Sequence, residues 1–177
     1  LAALRALTGW RVFVCGLFVD MMDVDATQYA SISREMMENG SYLQVKNHGV
    51  DYLDKPPLLF WLSSFSFSVF GIHNWSYKLP SFLFGLLGIW STYGLAKFYY
   101  GKATGALAAL LLSSSVAFFI IHNDIRTDTL LFGSVMFAIW QLQLWVKTKR
   151  WLYLFAGFFG IGLAMLAKGP LGLMMPV

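Results

Sequence analysis

Apolar residues run along this chain in long blocks separated by short polar islands. Four blocks, at about 79–96, 103–121, 129–146 and 151–167, each predict a helix. At about 1.5 Å per residue such a helix crosses or nearly crosses a hydrocarbon core of about 30 Å. A fifth block at 1–19 carries Arg5 and Arg11, and a sixth begins near 170, after Pro170, and is cut off by the end of the chain. Only "FVDMMDVDA" follows the first block, with no small-residue cleavage site, so an uncleaved span is expected there rather than a signal peptide. A first residue that is Leu and a last helix that stops in mid-stride read as an N-terminal portion of a larger protein.

Between about 20 and 78 the pattern changes. Tyr29, Ile32, Met36 and Met37 recur at helical spacing, which predicts an amphipathic helix over 26–38 lying along the membrane surface. Asp25 is its expected N-cap, Gln28 a loose capping-box partner, and Asn39-Gly40 its stop. The block from Leu58 to Phe70 has 13 residues and is interrupted by Ser63, Ser64, Ser66 and Ser68; that is short for a crossing and suits an interfacial or re-entrant helix. The expected fold is therefore all-α: a polytopic transmembrane helical bundle with amphipathic juxtamembrane helices in a first outer loop.

Composition agrees, with 58% hydrophobic against 12% charged residues, the balance of a membrane protein. The net charge of +4 comes without a basic stripe interleaved with aromatics, so a nucleic acid partner is not expected. Cys15 is alone and excludes a disulfide within the chain. Charge orients the spans: if 58–70 does not cross, the turns near Lys97, Lys102 and "KTKR" at 147–150 hold only bases and are cytoplasmic. All nine acids (Asp20, Asp23, Asp25, Glu35, Glu38, Asp51, Asp54, Asp124 and Asp128) then share the outer face.

Taken singly, each charge has a structural explanation. Asp25 caps a helix, Asp54 and Lys55 form a solvated pair ahead of Pro56-Pro57, Arg126 pairs with Asp124 or Asp128 or snorkels, and Lys168 caps carbonyls in "LAKGPLG". Together they place Asp, Lys and Arg from separate segments on one membrane face, beside hydrocarbon where charge is costly. A phosphate on a long lipid meets both demands, the tail seeking bilayer and the head seeking Lys or Arg. If that phosphate carries a sugar it is the leaving group, and the protein needs a cation on it and a carboxylate to take the proton of the attacking hydroxyl. Trp61, Trp75 and Tyr77, near the outer boundary, are candidate sugar-stacking rings. His48, His73 and His122 are not expected to bind metal. Ala156, Gly160 and Ala164, and likewise Gly101 and Gly105, predict close helix packing.

"MMDVDATQYASISREM", "YLDKPPLLFWL", "FGIHNWSYKLPS" and "AKGPLG", in this order, resemble the polytopic GT-C glycosyltransferases that use polyprenyl-phosphate sugars. The likeness is to the bacterial branch containing the aminoarabinose transferase of lipid A, which is similar to the protein O-mannosyltransferases. The resemblance implies a glycosyltransferase of the cell envelope, acting in lipid A modification or protein glycosylation. It also implies a site on the outer face of a bacterial inner membrane, a polyprenyl-phosphate sugar as donor and no organic cofactor. Asp25 falls at an acid of the family's first outer loop, which the resemblance implies is the catalytic base or positions the acceptor, and Asp124 or Asp128 at a further outer-loop acid. Lys55, Tyr29 and Lys168 fall at donor phosphate-binding positions, with Arg126 a further cation for that phosphate. Asp54 stands where relatives have a Glu that helps hold a divalent metal. The chain departs from the pattern at Asp25-Ala26 and Gln28, where many relatives have Asp-Glu and an Arg, so the acceptor does not follow from the resemblance. Two rival classes remain: a transporter or flippase for a lipid-linked substrate, and a non-catalytic lipid-binding protein. A transporter would put charges at the midplane on broken helices with an internal repeat, and neither is visible in the sequence.

Overall fold

The computed structural model describes Leu17 and residues 24–123 and 125–174, with backbone only at 119 and 121–123. The expected first span, Asp23 and Asp124 lie outside the described residues. The described chain is a helical bundle with a small hairpin in its outer loop: α1 (Val24–Asn39), β1 (Lys46–Asn47), β2 (Val50–Asp51), α2 (Leu58–Phe70), α3 (Asn74–Tyr100), α4 (Lys102–Ser114), α5 (Val116–Asn123), α6 (Thr127–Thr148), α7 (Trp151–Lys168) and α8 (Leu171–Met174). Among the described residues three helices, α3, α6 and α7, are long and apolar enough to cross a membrane.

α1 buries Ala26, Tyr29, Ile32, Ser33 and Met36, a single stripe at helical spacing, and it ends where Gly40 turns to φ +67° and returns its N–H to the Met36 carbonyl at 3.0 Å. Asp25 is not the N-cap. The helix already includes Val24, whose carbonyl accepts the Thr27 hydroxyl at 2.7 Å, so Asp25 sits inside the first turn, where a carboxylate favours the helix dipole.

α2 starts at the double proline and is inverted relative to a surface helix of a soluble protein. Ser63, Ser64 and Ser66 are buried, whereas Phe65 is 67% and Val69 55% exposed. That inversion fits a helix lying at the lipid boundary, with small polar residues toward protein and bulk toward hydrocarbon. The Ser66 hydroxyl donates to the carbonyl of Ser76. Pro80, one turn further along α3, has no N–H to give that carbonyl, so Ser66 satisfies the acceptor that the proline leaves open.

Small residues set the spacing of the spans. A Cβ on Gly88 would lie 2.3 Å from the Phe132 ring, one on Gly133 would lie 2.2 Å from the Phe84 carbonyl oxygen, and one on Gly160 would lie 3.0 Å from the Ala138 Cβ. α3 therefore packs on α6, and α6 on α7, at backbone-to-backbone range. Gly105 likewise brings α4 close to the Tyr93 carbonyl of α3. The outward faces carry large apolar residues such as Trp90, Leu111, Phe155 and Phe159, as lipid contact requires.

In place of the single span expected at 103–121, the structure has two helices broken at Ser115. Ser115 is extended (φ −72°, ψ 133°), and it donates its N–H to Leu112 while its hydroxyl accepts the Phe118 N–H at 3.2 Å. It thus ends one helix and caps the next, the role a serine plays when its side chain competes with the helical ladder.

Charge divides between the two ends of the bundle. Lys97, Lys102, Lys147, Lys149 and Arg150 gather where α3 meets α4 and α6 meets α7. There Tyr99 donates to Gln143 at 2.6 Å and the Lys147 ammonium lies 4.7 Å from the Phe98 ring centre. Every described acid lies in the outer loop or at the start of α6, which is the other end. The best-packed core, containing Tyr29, Ile32, Leu59, Phe60, Tyr77, Ile125 and Leu130, sits at that acidic end beneath the outer loop.

Candidate active site

The outer loop is built onto α1. Between the two short strands, His48 (φ 53°) and Gly49 (φ 80°) form a two-residue turn with both angles positive, the type I′ pattern that matches strand twist. Tyr52 donates its N–H to the Val45 carbonyl at 2.8 Å, which closes the hairpin and aims Tyr52 back at α1. There Phe60 lies between two tyrosines, edge-on to Tyr29 at 5.7 Å and to Tyr52 at 5.8 Å, and the Tyr29 and Tyr52 hydroxyls are hydrogen-bonded.

Tyr52 reports what surrounds it. Burial pushes its phenol above the usual tyrosine range, and the charges of Asp54 and then Asp25 push it further, while the bond to Tyr29 acts in the opposite direction. Asp25 on α1 and Asp54 on the loop therefore both act on one buried hydroxyl. This brings together three of the expected residues, Asp25, Tyr29 and Asp54.

Next to them is an open cleft of about 580 Å³, walled by residues 43–45, 51–57 and 168–170. Lys55 and Lys168, from two separate segments, both line it, with Leu43, Val45, Leu53, Pro56 and Pro57 as apolar lining. Lys168 ends α7, where Gly169 (φ +64°) returns its N–H to the Met165 carbonyl at 2.7 Å and Pro170 redirects the chain into α8. Its ammonium is ion-paired with the carboxylate of Asp128, in the first turn of α6, at 28% and 42% side-chain exposure. Lys55 has no ion-pair partner among the described residues.

Not every candidate joins the cleft. Arg126 is exposed at the start of α6, its carbonyl accepting the Thr129 N–H at 3.3 Å, and is not among the lining residues. Asp54 lines the cleft, but among the described residues no group of three His, Cys, Asp or Glu side chains converges on a point where a metal could sit. Asp51 and Asp54, two carboxylates beside a lysine, are a poor donor set for a divalent ion, so the described residues do not fit one. The expected sugar-stacking rings Trp61 and Tyr77 are occupied structurally. Trp61 donates to the Tyr42 carbonyl at 2.7 Å, and Tyr77, 1% exposed, stacks on Phe67 and donates to the Ala26 carbonyl at 2.9 Å.

Two residues of this region were missed in the sequence. Tyr52 is one; its only local signal is its place two residues before Asp54. Glu35 is the other: its carboxylate accepts the N–H groups of His48 and Gly49 at 2.7 and 2.9 Å.

A profile for dolichyl-phosphate-mannose-protein mannosyltransferases matches residues 54–177. The chain belongs to that family. Similar to it within the same group of proteins is an undecaprenyl phosphate-α-4-amino-4-deoxy-L-arabinose arabinosyl transferase of Yersinia enterocolitica, 30% identical over 86% of this chain and 28% of the relative. A protein of the same name from Wigglesworthia glossinidia brevipalpis is 27% identical over 89% of this chain and 29% of its own length. A crystal structure of ArnT from Cupriavidus metallidurans bound to undecaprenyl phosphate superposes with a TM-score of 0.89 at 24% identity, over 97% of this chain and 33% of that one. The family fold, a polytopic helical membrane bundle, is thus the fold of this chain, which spans about a third or less of the length of these relatives.

Proposed function

We propose that this chain is part of an integral membrane glycosyltransferase that moves a sugar from a polyprenyl-phosphate donor to an acceptor hydroxyl or phosphate. The observation that carries the proposal is one cleft lined by both Lys55 and Lys168, by apolar residues, and by the carboxylates Asp51 and Asp54. Lys55 and Lys168 hold the donor phosphate, with Arg126 a further cation at the approach from water. Asp25, whose charge acts on Tyr52 at the edge of the cleft, is the base; Asp128 and Asp124 are further candidate acids. In the reaction the acceptor oxygen attacks the anomeric carbon and its proton passes to the carboxylate. The bond from that carbon to the phosphate oxygen breaks, and the phosphate leaves as an anion on the lysines. Tyr29, through its bond to Tyr52, sets the floor beside the phosphate.

Bases alone at the far end of the bundle support a cytoplasmic location for that end and an extracytoplasmic site, on the inner membrane of a bacterium. The relatives' names support an undecaprenyl-type donor. The test is transfer of labelled sugar from polyprenyl-phosphate donors by the intact protein in membranes. Asp25→Asn should cut turnover by about 10²- to 10⁴-fold, the usual worth of general base catalysis, while lipid binding persists. Unchanged turnover in Asp25→Asn, or no transfer from any such donor, would defeat the proposal.

A further inference from the structure

The two halves of the candidate site come from different parts of the chain. Asp25 and Tyr29 ride on α1, whereas Tyr52, Asp54 and Lys55 follow the hairpin. A loop of this length would hold them loosely unless something tied it to α1. Glu35 makes that tie. From the third turn of α1 its carboxylate takes two successive backbone N–H groups, those of His48 at 2.7 Å and Gly49 at 2.9 Å. Both turn residues have positive φ, and in this turn their two successive N–H groups converge on one carboxylate. The bonds are charge-assisted, so they exceed ordinary backbone bonds in strength.

We propose that Glu35 is a positioning residue, clamping the hairpin onto α1 and thereby fixing Tyr52 and Lys55 relative to Asp25 and Tyr29. The inference rests on the donor-binding reading for its functional half and on backbone geometry alone for its structural half. From the clamped turn the chain runs through Asp51 to Tyr52, whose N–H closes the hairpin on Val45 and whose hydroxyl meets Tyr29. Lys55 follows three residues later. Releasing the turn therefore moves the phosphate-binding lysine without touching it.

The test uses the intact protein in lipid nanodiscs, with Glu35→Ala, Glu35→Gln and, as a control, Glu38→Ala. Glu38 is on the same helix and pairs only with Arg34 at the surface. Three readouts are taken: amide exchange of the 45–52 segment, Kd for a polyprenyl phosphate without sugar, and KM and kcat for the sugar-bearing donor. Glu35→Ala should speed exchange at 45–52 and raise Kd and donor KM by about tenfold or more, as expected for loss of charged hydrogen bonds, with kcat changed by less than about threefold. Glu35→Gln, which keeps an acceptor oxygen, should recover part of both effects, and Glu38→Ala should match the wild type. Exchange unaltered in Glu35→Ala would overturn the clamp, and faster exchange with wild-type Kd and KM would overturn its positioning role. A wild type that binds lipid without transferring sugar would sink the transferase reading and leave exchange and Kd to decide on Glu35.

Discussion

Two lysines face the same cleft, yet the structure assigns them unequal parts. Lys55 carries no ion pair among the described residues, so its charge is available to an incoming phosphate. Lys168 is already engaged by Asp128, and any phosphate it binds must share or displace that carboxylate. Losing a charge-assisted bond to the phosphate costs about 1.5–3 kcal/mol, so Lys55→Ala should weaken donor binding by roughly 10- to 150-fold. For Lys168 the gain on binding is reduced by the bond it gives up, and a partly exposed pair of this kind is worth about 0.2–1 kcal/mol. The difference is about 0.5–2.8 kcal/mol, so Lys168→Ala should weaken binding by roughly 2- to 100-fold, in every case less than Lys55→Ala measured in the same preparation. Asp128→Asn frees the ammonium and should bind as tightly as the wild type or more tightly. The assay is equilibrium binding of a polyprenyl phosphate to protein in nanodiscs, repeated at two salt concentrations. Salt should weaken the Lys168 contribution less than the Lys55 contribution, because Lys168 has its own counter-ion. Equal losses from the two alanine variants, or a larger loss from Lys168→Ala, would refute the assignment of Lys55 as the principal phosphate ligand.

Tyr52→Phe tests the electrostatics beside the cleft. A phenol held above its usual value by burial, Asp54 and Asp25 stabilises the fold fully below about pH 10 and loses that contribution as pH rises through the higher folded value. Thermal unfolding should show a shallower alkaline decline in Tyr52→Phe than in the wild type above about pH 10, and identical declines would remove Tyr52 as the titrating group. Gly133→Ala tests the helix spacing: its Cβ would meet the Phe84 carbonyl oxygen at 2.2 Å, a backbone atom that cannot rotate away. It should cost about 1–3 kcal/mol or more, whereas Gly162→Ala, with nothing within 4 Å, should stay within about 0.5 kcal/mol. Melting temperatures of the two variants in one detergent would decide it.

The helices α3, α6 and α7 and the amphipathic α1 were legible because they are written in local periods, long apolar runs in one case and a 3–4 repeat from Tyr29 to Met36 in the other. The convergence of Lys55 and Lys168 was legible only indirectly, through segregation of acids from bases along the chain. The hairpin was not legible, since strands of two residues leave no alternation to detect, and its turn dipeptide His48-Gly49 lacks the Asn or Asp that usually marks such a loop. Glu35 was invisible as a clamp because its partners are backbone amides 13 and 14 residues away, and no side-chain pattern encodes those. The break at Ser115 followed a run of three serines that hydropathy alone averaged away.

The same distribution of polar groups separates an enzyme at a surface from a pathway through the bilayer. Among the described residues the buried polar side chains of the spans are Ser81, Ser91, Ser134 and Gln141, together with Ser76, Lys78, Thr127 and Thr129 in the first turns of α3 and α6 at the site end. Hydroxyls and an amide let helices approach closely, and they cost little in hydrocarbon compared with a charge. A route for a phosphorylated headgroup would need ionisable partners spaced across the core, because each step away from water otherwise costs several kcal/mol. Among the described residues the carboxylates lie at one end, where the cleft opens and water can solvate what the protein does not pair, and the cations lie at the two ends of the spans rather than across the core between them. A lipid-linked substrate could reach that end with its tail still in the bilayer, so the arrangement supports the proposed reaction at the membrane surface over passage through the bilayer.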